Sequence, residues 1–428
     1  MRSYFFVFII SILALIGCQQ KEASYINISN KEKIDSVLNV FVDQSIYPFL
    51  YARIEDKNGK VVYEYSTKNN KLLKDYNIDG DSWIRIWSMS KIVTICLTLD
   101  LIEDGVIKME DPVSKYIPEF KNLKVAVKPD SSCLLQREFS DTICPLTYVD
   151  NDSVMTIRHL FDHKAGFYYA LTGVKCLDSM IAKQNFPTSK NSQELINRMA
   201  SLPLIQHSGT QYFYGTNTTV LGLVAERASG KTLAELVKDR ITDPMQISGL
   251  QYDLPKEAKM LPRISGKDSI LREAHQGELD IFGDNVPSYD PNQQLYLGGE
   301  GMIATANGYC DFLRMLLNKG TLNGYRFLEE ATIEDLQSPH TLIDNPYGHN
   351  GYNLWVSGDS MRLKGQGDSG LWIGGGYEGT HFWIDPKRKF VATLMTQMFA
   401  VYSPVGYSKD NRFRGEVYRP WTNINYKD

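Results

Sequence analysis

Apolar and polar positions alternate with a period of two near the start of the chain, the signature of half-buried strands, and a second hairpin signal lies far along it. Leu50-Tyr51-Ala52-Arg53-Ile54-Glu55, then Asn58-Gly59, then Val61-Val62-Tyr63-Glu64-Tyr65 reads as a β-hairpin. The signal returns near the other end, where Thr380-His381-Phe382-Trp383-Ile384, a Pro386-Lys387-Arg388-Lys389 turn and Phe390-Val391-Ala392-Thr393-Leu394-Met395 form a second hairpin pattern. Between them the apolar spacing is mostly helical. It predicts helices near 88–104, 155–164, 192–201, 217–229, 231–241, 306–318 and 330–337, with another around 31–44. Strands at both ends with helices between them imply that the ends pair in one antiparallel sheet. The expected fold is therefore α+β, a sheet from N- and C-terminal strands flanked by helices, with an inserted, mostly helical lobe. The α/β lobe is expected over about 32–105 and 290–428, and the helical lobe over about 106–289.

The first residues follow neither pattern. Arg2 precedes an apolar run from Phe5 to Ile16 and then Gly17-Cys18. A positive start, about a dozen apolar residues and a small-residue cleavage site describe an export signal. A spanning helix needs roughly twenty apolar residues, so this run is too short to be one. Leu15-Ile16-Gly17-Cys18 resembles the bacterial lipobox, in which the signal is cut before the cysteine and the cysteine is lipidated. Residues 1–17 are thus expected to be a lipoprotein signal and Cys18 the lipidation site. Residues 18–31 would form a tether, and the protein would hang from the cell envelope on its periplasmic or surface side.

Composition narrows the chemistry. The 428 residues are 43% hydrophobic and 22% charged, ordinary for a globular chain. A net charge of −4 gives no bulk attraction to nucleic acid, and the cationic residues form no basic stripe. An exported chain can carry disulfides. Cys133 and Cys144 fall in one loop-like stretch and can pair, whereas Cys96 and Cys310 sit in helical apolar patterns as small core residues. No cysteine or histidine spacing suggests a metal, and no organic cofactor is implied.

Trp87-Ser88-Met89-Ser90-Lys91 opens the 88–104 helix pattern, closed by Gly105. Positions i and i+3 share a helix face, so Lys91 can reach the Ser88 hydroxyl. A serine hydroxyl is a poor nucleophile until a base takes its proton. A buried lysine that has lost its own proton can be that base or its relay. Ser-x-x-Lys alone is a weak signal, because serine is also a favoured N-cap.

The surrounding segments carry more. Ile86 to Lys91, Leu101-Ile102-Glu103-Asp104-Gly105 and Asp111-Pro112-Val113 through Pro118-Glu119-Phe120 resemble the class C β-lactamase-related serine hydrolases, a family that includes penicillin-binding proteins and family VIII carboxylesterases. Thr156 to Gly166, Tyr214 to Gly222, Asp243-Pro244-Met245, Gly298-Gly299-Glu300-Gly301-Met302 and Gly375 to Pro386 follow in the family's order. The resemblance implies a serine β-lactamase or D,D-peptidase-like fold. It implies Ser88 as nucleophile, with Lys91 and Tyr214 managing the proton, and an oxyanion hole from the backbone N–H groups of Ser88 and Tyr377. Trp87, Asn217, Gly375, Gly376 and His381 are the expected substrate contacts. The third motif of the family falls at Gly374-Gly375-Gly376, with no cation in its first place. A lysine there would hold a substrate carboxylate, so its lack favours an ester or another neutral acyl substrate. The alternatives are β-lactamase or D,D-peptidase activity, or a catalytically weak lipoprotein that binds cell-wall fragments or a partner.

Three other patterns imitate known sites. Gly367-Asp368-Ser369-Gly370 resembles a trypsin-type nucleophile loop but continues with Leu371. His159 and His163 have zinc-helix spacing without the glutamate that would act as base. Ser229-Gly230-Lys231-Thr232 imitates the end of a P-loop, but Ala225 occupies the place of the loop's first glycine.

Overall fold

The computed structural model describes residues 28–132, 134, 144–267, 269–275, 277–278, 281–282, 286–342, 347–399 and 408–427. The export signal, most of the tether, Cys18 and Cys133 lie outside the described residues. Among these residues no helix is long and apolar enough to cross a membrane.

Both hairpins read from the sequence are present and they join. Strands β1 (Phe49–Asp56) and β2 (Val61–Lys68) form the first. The remaining strands of the main sheet come from the C-terminal third: β3 (Thr341–Leu342), β4 (Gly348–Asn350), β5 (Trp355–Ser357), β6 (Trp372–Gly375), β7 (His381–Asp385) and β8 (Phe390–Met395). The sheet order is β3-β4-β5-β6-β7-β8-β1-β2, and β8 runs antiparallel to β1 from Tyr51 opposite Met395 to Asp56 opposite Phe390. The fold is α+β, an antiparallel sheet built from both ends of the chain and flanked by helices, as expected.

Alternation along the strands assigns each side chain to a face. Leu50, Ala52, Ile54, Trp383, Ala392 and Leu394 face the outer layer, where helices α1 (Lys31–Asp43) and α5 (Lys409–Thr422) supply Leu38, Phe41, Phe413 and Val417. Tyr51, Phe382, Ile384, Val391 and Met395 face the other core. There α2 (Ser90–Glu103), α3 (Asn217–Ser229) and α4 (Ala306–Leu317) meet the sheet.

Helix α2 is more enclosed than its sequence suggests. Every residue from Ser90 to Leu99 is buried, polar ones included. The small polar side chains satisfy neighbouring backbone: Thr94 Oγ1 donates to the Gly298 carbonyl at 2.6 Å, and Ser90 Oγ accepts from the Met302 N–H at 3.1 Å. The 298–302 segment is thereby stitched to α2.

The cysteines depart from expectation. Cys144 pairs with Cys176, in the first turn of the helix Lys175–Gln184, and not with Cys133. The partner is chosen by the packing of that helix beside the strand Thr147–Asp150, where Tyr148 Oη lies 3.6 Å from Met180 Sδ, and not by closeness along the chain. Cys96 and Cys310 are buried free thiols, as expected of core residues. A bond closing a 32-residue span restricts the unfolded chain by about 3–4 kcal/mol. Cys176→Ser should therefore lower unfolding free energy in denaturant titrations by about that amount, and reduction of the native protein should match it.

Candidate active site

The Ser88 turn is tighter than the α-helix its spacing predicted. Trp87–Met89 is a 3₁₀ turn, and the α-helix proper begins at Ser90. Trp87 adopts φ of 46°, a left-handed conformation that a bulky residue takes only when its surroundings enforce it. Burial does so: the indole has no exposed surface and stands edge-on to the Tyr377 ring at 5.7 Å. Trp87 therefore supports the cleft wall from beneath and does not line it, contrary to its expected contact with substrate.

Two side chains, one from the same turn and one from 126 residues away, converge on the Ser88 oxygen. Lys91 Nζ donates to Ser88 Oγ at 3.0 Å, and Tyr214 Oη donates to the same atom at 2.8 Å. Lys91 Nζ also donates to the Gly299 carbonyl at 2.9 Å and to Glu300 Oε1 at 3.2 Å. The ammonium lies 5.1 Å from the Tyr214 ring centroid and 5.4 Å from that of Tyr169. Burial alone would drive Lys91 to lose its proton, but Tyr214 and Glu300 outweigh it and hold the amine above its ordinary pKa. The sequence left the charge of Lys91 open, because the carboxylate partner lies 209 positions away.

Tyr214 is held from behind. His163 stacks on its ring with centroids 5.1 Å apart and planes inclined by 18°. Gly215, next in the chain, has no room for a side chain, since a Cβ would stand 2.1 Å from the Phe167 carbonyl oxygen. Asn217 begins α3 with no exposed surface, its Nδ2 lying 3.2 Å from His163 Nδ1. It fastens α3 to the His163 turn and lies away from the cleft, so its expected role at the substrate does not hold. His159 and His163 form no metal pair: His159 Nδ1 accepts from the Thr156 N–H at 3.3 Å as part of a helix cap.

Strand β6 closes the opposite side. A Cβ on Gly376 would stand 2.2 Å from Thr380 Oγ1 and 2.5 Å from the Ile86 carbonyl oxygen, so the strand end touches the chain just before Ser88. The missing side chain is needed for this close approach. Gly375, Gly376 and Tyr377 then face Ser88 across the cleft. His381 projects to the other side of the sheet, because it shares a face with Trp383. Its Nε2 lies 2.7 Å from Arg414 Nη1 beneath α5, so it too is removed from the expected contacts.

The cleft has two compartments meeting at Ser88. The larger, about 490 Å³, is walled by Tyr169, Leu171, Thr172, Phe213, Ile281 and Tyr377. The smaller, about 180 Å³, is bounded by Tyr212, Asn350, Asn353, Trp355 and Phe382. Among the described residues, no side chain lining either compartment carries a formal charge. No group of three or more acidic, histidine or cysteine side chains suited to a metal occurs among them. The imitations of other sites resolve into local structure: Asp368 pairs with Arg388 at 2.8 Å, and Thr232 caps the helix Leu233–Val237.

The chain itself matches a known family. The Beta-lactamase family model covers residues 56–414. The chain belongs to the beta-lactamase family. Lovastatin esterase of Penicillium rubens is 26% identical to this family member over 298 residues, 67% of each chain. Monacolin J acid methylbutanoyltransferase of Aspergillus terreus is 23% identical over 259 residues, 60% of this chain and 57% of that one. Among solved structures, EstCE1, described as a hydrolase with promiscuous acyltransferase activity, superposes with a TM-score of 0.71 at 17% identity, covering 90% of this chain and 98% of that chain. Unliganded simvastatin synthase LovD of Aspergillus terreus gives 0.68 at 18%, covering 92% and 99%. At these identities the superpositions establish the fold. The beta-lactamase-family relatives are thus hydrolases and acyltransferases, with esterases among them.

Two buried side chains at the centre, Glu300 and Tyr169, were not singled out by sequence. Glu300 stood in view within Gly298-Gly299-Glu300-Gly301-Met302, an acid inside an otherwise apolar, glycine-rich run. That oddity was the available signal. Tyr169 offered none, being one of three consecutive aromatics, Phe167-Tyr168-Tyr169.

Two outcomes follow. Gly376→Ala should part β6 from the Ser88 turn and lower kcat/KM for p-nitrophenyl esters by at least roughly tenfold, with circular dichroism unchanged. Burial, helped by the Lys91 charge, pushes His163 down to about 3. Below about pH 6.5 the unfolded imidazole takes up a proton that the folded one refuses until about pH 3. Stability should therefore fall with decreasing pH across that window, by up to about 1.4 kcal/mol per unit from this group. His163→Asn should flatten that part of the pH-stability curve measured by denaturant unfolding.

Proposed function

We propose that this protein is a serine-dependent acyl hydrolase, esterase-like, that works through a covalent acyl-enzyme on neutral esters or related acyl compounds. The observation that carries this reading is the Ser88 oxygen, bonded at once by Lys91 and Tyr214 at the meeting point of two uncharged compartments.

Ser88 Oγ attacks the substrate carbonyl carbon as its proton passes to Tyr214 Oη. The carbonyl oxygen becomes an oxyanion, received by the backbone N–H groups of Ser88 and Tyr377. The attack requires Tyr214 as the phenolate, its negative charge balanced by the Lys91 ammonium, so taking the Ser88 proton leaves it a neutral phenol. The tetrahedral intermediate collapses, the bond to the leaving group breaks, and that group takes the proton from Tyr214. Water, or an alcohol bound in its place, then attacks the acyl-enzyme by the same steps in reverse. The names of the relatives, an esterase and an acyltransferase, support either acceptor.

The apolar lining of the larger compartment suits a hydrophobic acyl or alcohol group. No charged side chain lines either compartment among the described residues, and the Lys91 ammonium behind Ser88 is paired with Glu300, which weighs against a substrate bound by its carboxylate, as β-lactams and peptide termini are. The lipobox-like Leu15-Ile16-Gly17-Cys18 quartet supports a place in the cell envelope, tethered through Cys18.

Ser88→Ala should lower p-nitrophenyl butyrate turnover by roughly a thousandfold or more, with the melting temperature preserved. A fluorophosphonate probe should label Ser88, and peptide mapping to any other residue would sink the assignment. Benzylpenicillin should leave no stable adduct; rapid acylation would instead favour the β-lactamase or D,D-peptidase alternative.

A further inference from the structure

Glu300 lies 1% exposed between α2 and α3, and nothing in the acyl-enzyme scheme uses it. Its Oε1 accepts from Lys91 Nζ at 3.2 Å and from Tyr169 Oη. Its Oε2 accepts from Thr219 Oγ1 on α3 at 2.6 Å. A lysine ammonium has three donors. Here one is spent on Glu300, one on the Gly299 carbonyl at 2.9 Å and one on Ser88 Oγ at 3.0 Å. The first two acceptors are neighbours in one segment, and that segment is itself bonded to α2 through Thr94 and Ser90. The ammonium is thus clamped from one side and left a single free direction, toward Ser88.

We propose that Glu300 is a positioning residue: a buried counter-ion that keeps Lys91 a fixed cation aimed at Ser88, so that proton transfer falls to Tyr214 and not to the amine. This rests on the Ser88 acyl-enzyme reading. A buried ion pair survives only when its remaining polar atoms are also satisfied, and Tyr169 and Thr219 do that for the carboxylate. The charged and titratable groups around the pair are few. Tyr169, Tyr214 and Tyr252 present phenols, and His163 stands behind Tyr214. Burial and the Glu300 charge keep Tyr169 protonated, and burial keeps His163 neutral. Of these, Glu300 is the fixed anion that bears directly on the amine. Tyr214 also holds the amine's proton, but with the Glu300 charge removed less opposes burial, so Lys91 sheds its proton at lower pH.

The test is the pH dependence of kcat/KM for p-nitrophenyl butyrate from pH 6 to 10.5. Wild type, Glu300→Gln and Glu300→Asp are compared in the full chain, with Ser88→Ala as control. The wild type should hold its activity to about pH 10. Glu300→Gln should lose activity on the alkaline side at least about two units earlier. At neutral pH it should fall at least tenfold in kcat, with KM changed less than threefold. Glu300→Asp, which keeps the charge, should restore the wild-type alkaline limit. An unmoved limit in Glu300→Gln, or a rise in its activity at pH 8 to 9 as a neutral amine base would give, overturns the proposal. Should Glu300→Gln not fold, Tyr169→Phe decides. It removes a hydrogen bond and leaves every charge, so kcat should drop while the alkaline limit stays. A limit displaced in Tyr169→Phe counts against Glu300 as its origin. Turnover in the wild type no faster than in Ser88→Ala removes the acyl-enzyme reading and this inference together. Ser88-dependent turnover with an unmoved limit removes this inference alone.

Discussion

Lys91 carries a positive charge into a place with no exposed surface, and much of the surrounding structure answers the cost of putting it there. Its acceptors come from the turn before α2 and from the 298–302 segment, while the phenols of Tyr169 and Tyr214 present their rings. None of these can drift without leaving a buried charge unpaired. The backbone accordingly comes close where they meet: a Cβ on Gly298 would lie 3.2 Å from the Gly222 Cα, so α3 and this segment pass with no side chain between them. Thr94 and Ser90 bond the same segment from the α2 side. One charge thus fixes the relative placement of two helices and a glycine-rich connection.

The cleft depends on a second close approach, between β6 and the residue before the strained Trp87. The glycines of this strand were expected to let substrate near the backbone. Gly375 and Gly376 do line the cleft beside Ser88. Gly374 is overlain by the Phe382 ring, and Gly376 abuts Ile86 and Thr380, so their missing side chains serve the protein's own packing. Strand, turn and Tyr377 form one unit in which Trp87 is wedged, which explains how a bulky residue tolerates a left-handed backbone at this point.

Regular periodicity was readable where elements are long and one-sided. The two hairpins, α3 and α4 fall close to their expected spans because their apolar spacing repeats often enough to stand out. Strands β3, β4 and β5 have two or three residues each, too few for a period. Helix α5, rich in charge and carrying Gly415 and Pro420, has weak intrinsic helix tendency, and burial of Phe413, Val417 and Tyr418 against the sheet sustains it. At the site, Ser88 and Lys91 were legible because one helical turn joins them. Trp87, Asn217 and His381 were misplaced because motif membership gives a position in the chain but not the direction of a side chain.

By itself, the sequence determined the class of architecture and the local serine-lysine spacing through short-range periodicity, and the order of strands and helices along the chain implied that its two ends pair. The third member, Tyr214, was named by its likeness to a family motif. Tertiary structure alone decided which way His381 points, which cysteine Cys144 takes, and that Lys91 remains charged. Each of these turns on a partner tens or hundreds of residues away, and the free energy of a buried group is set by what surrounds it in space.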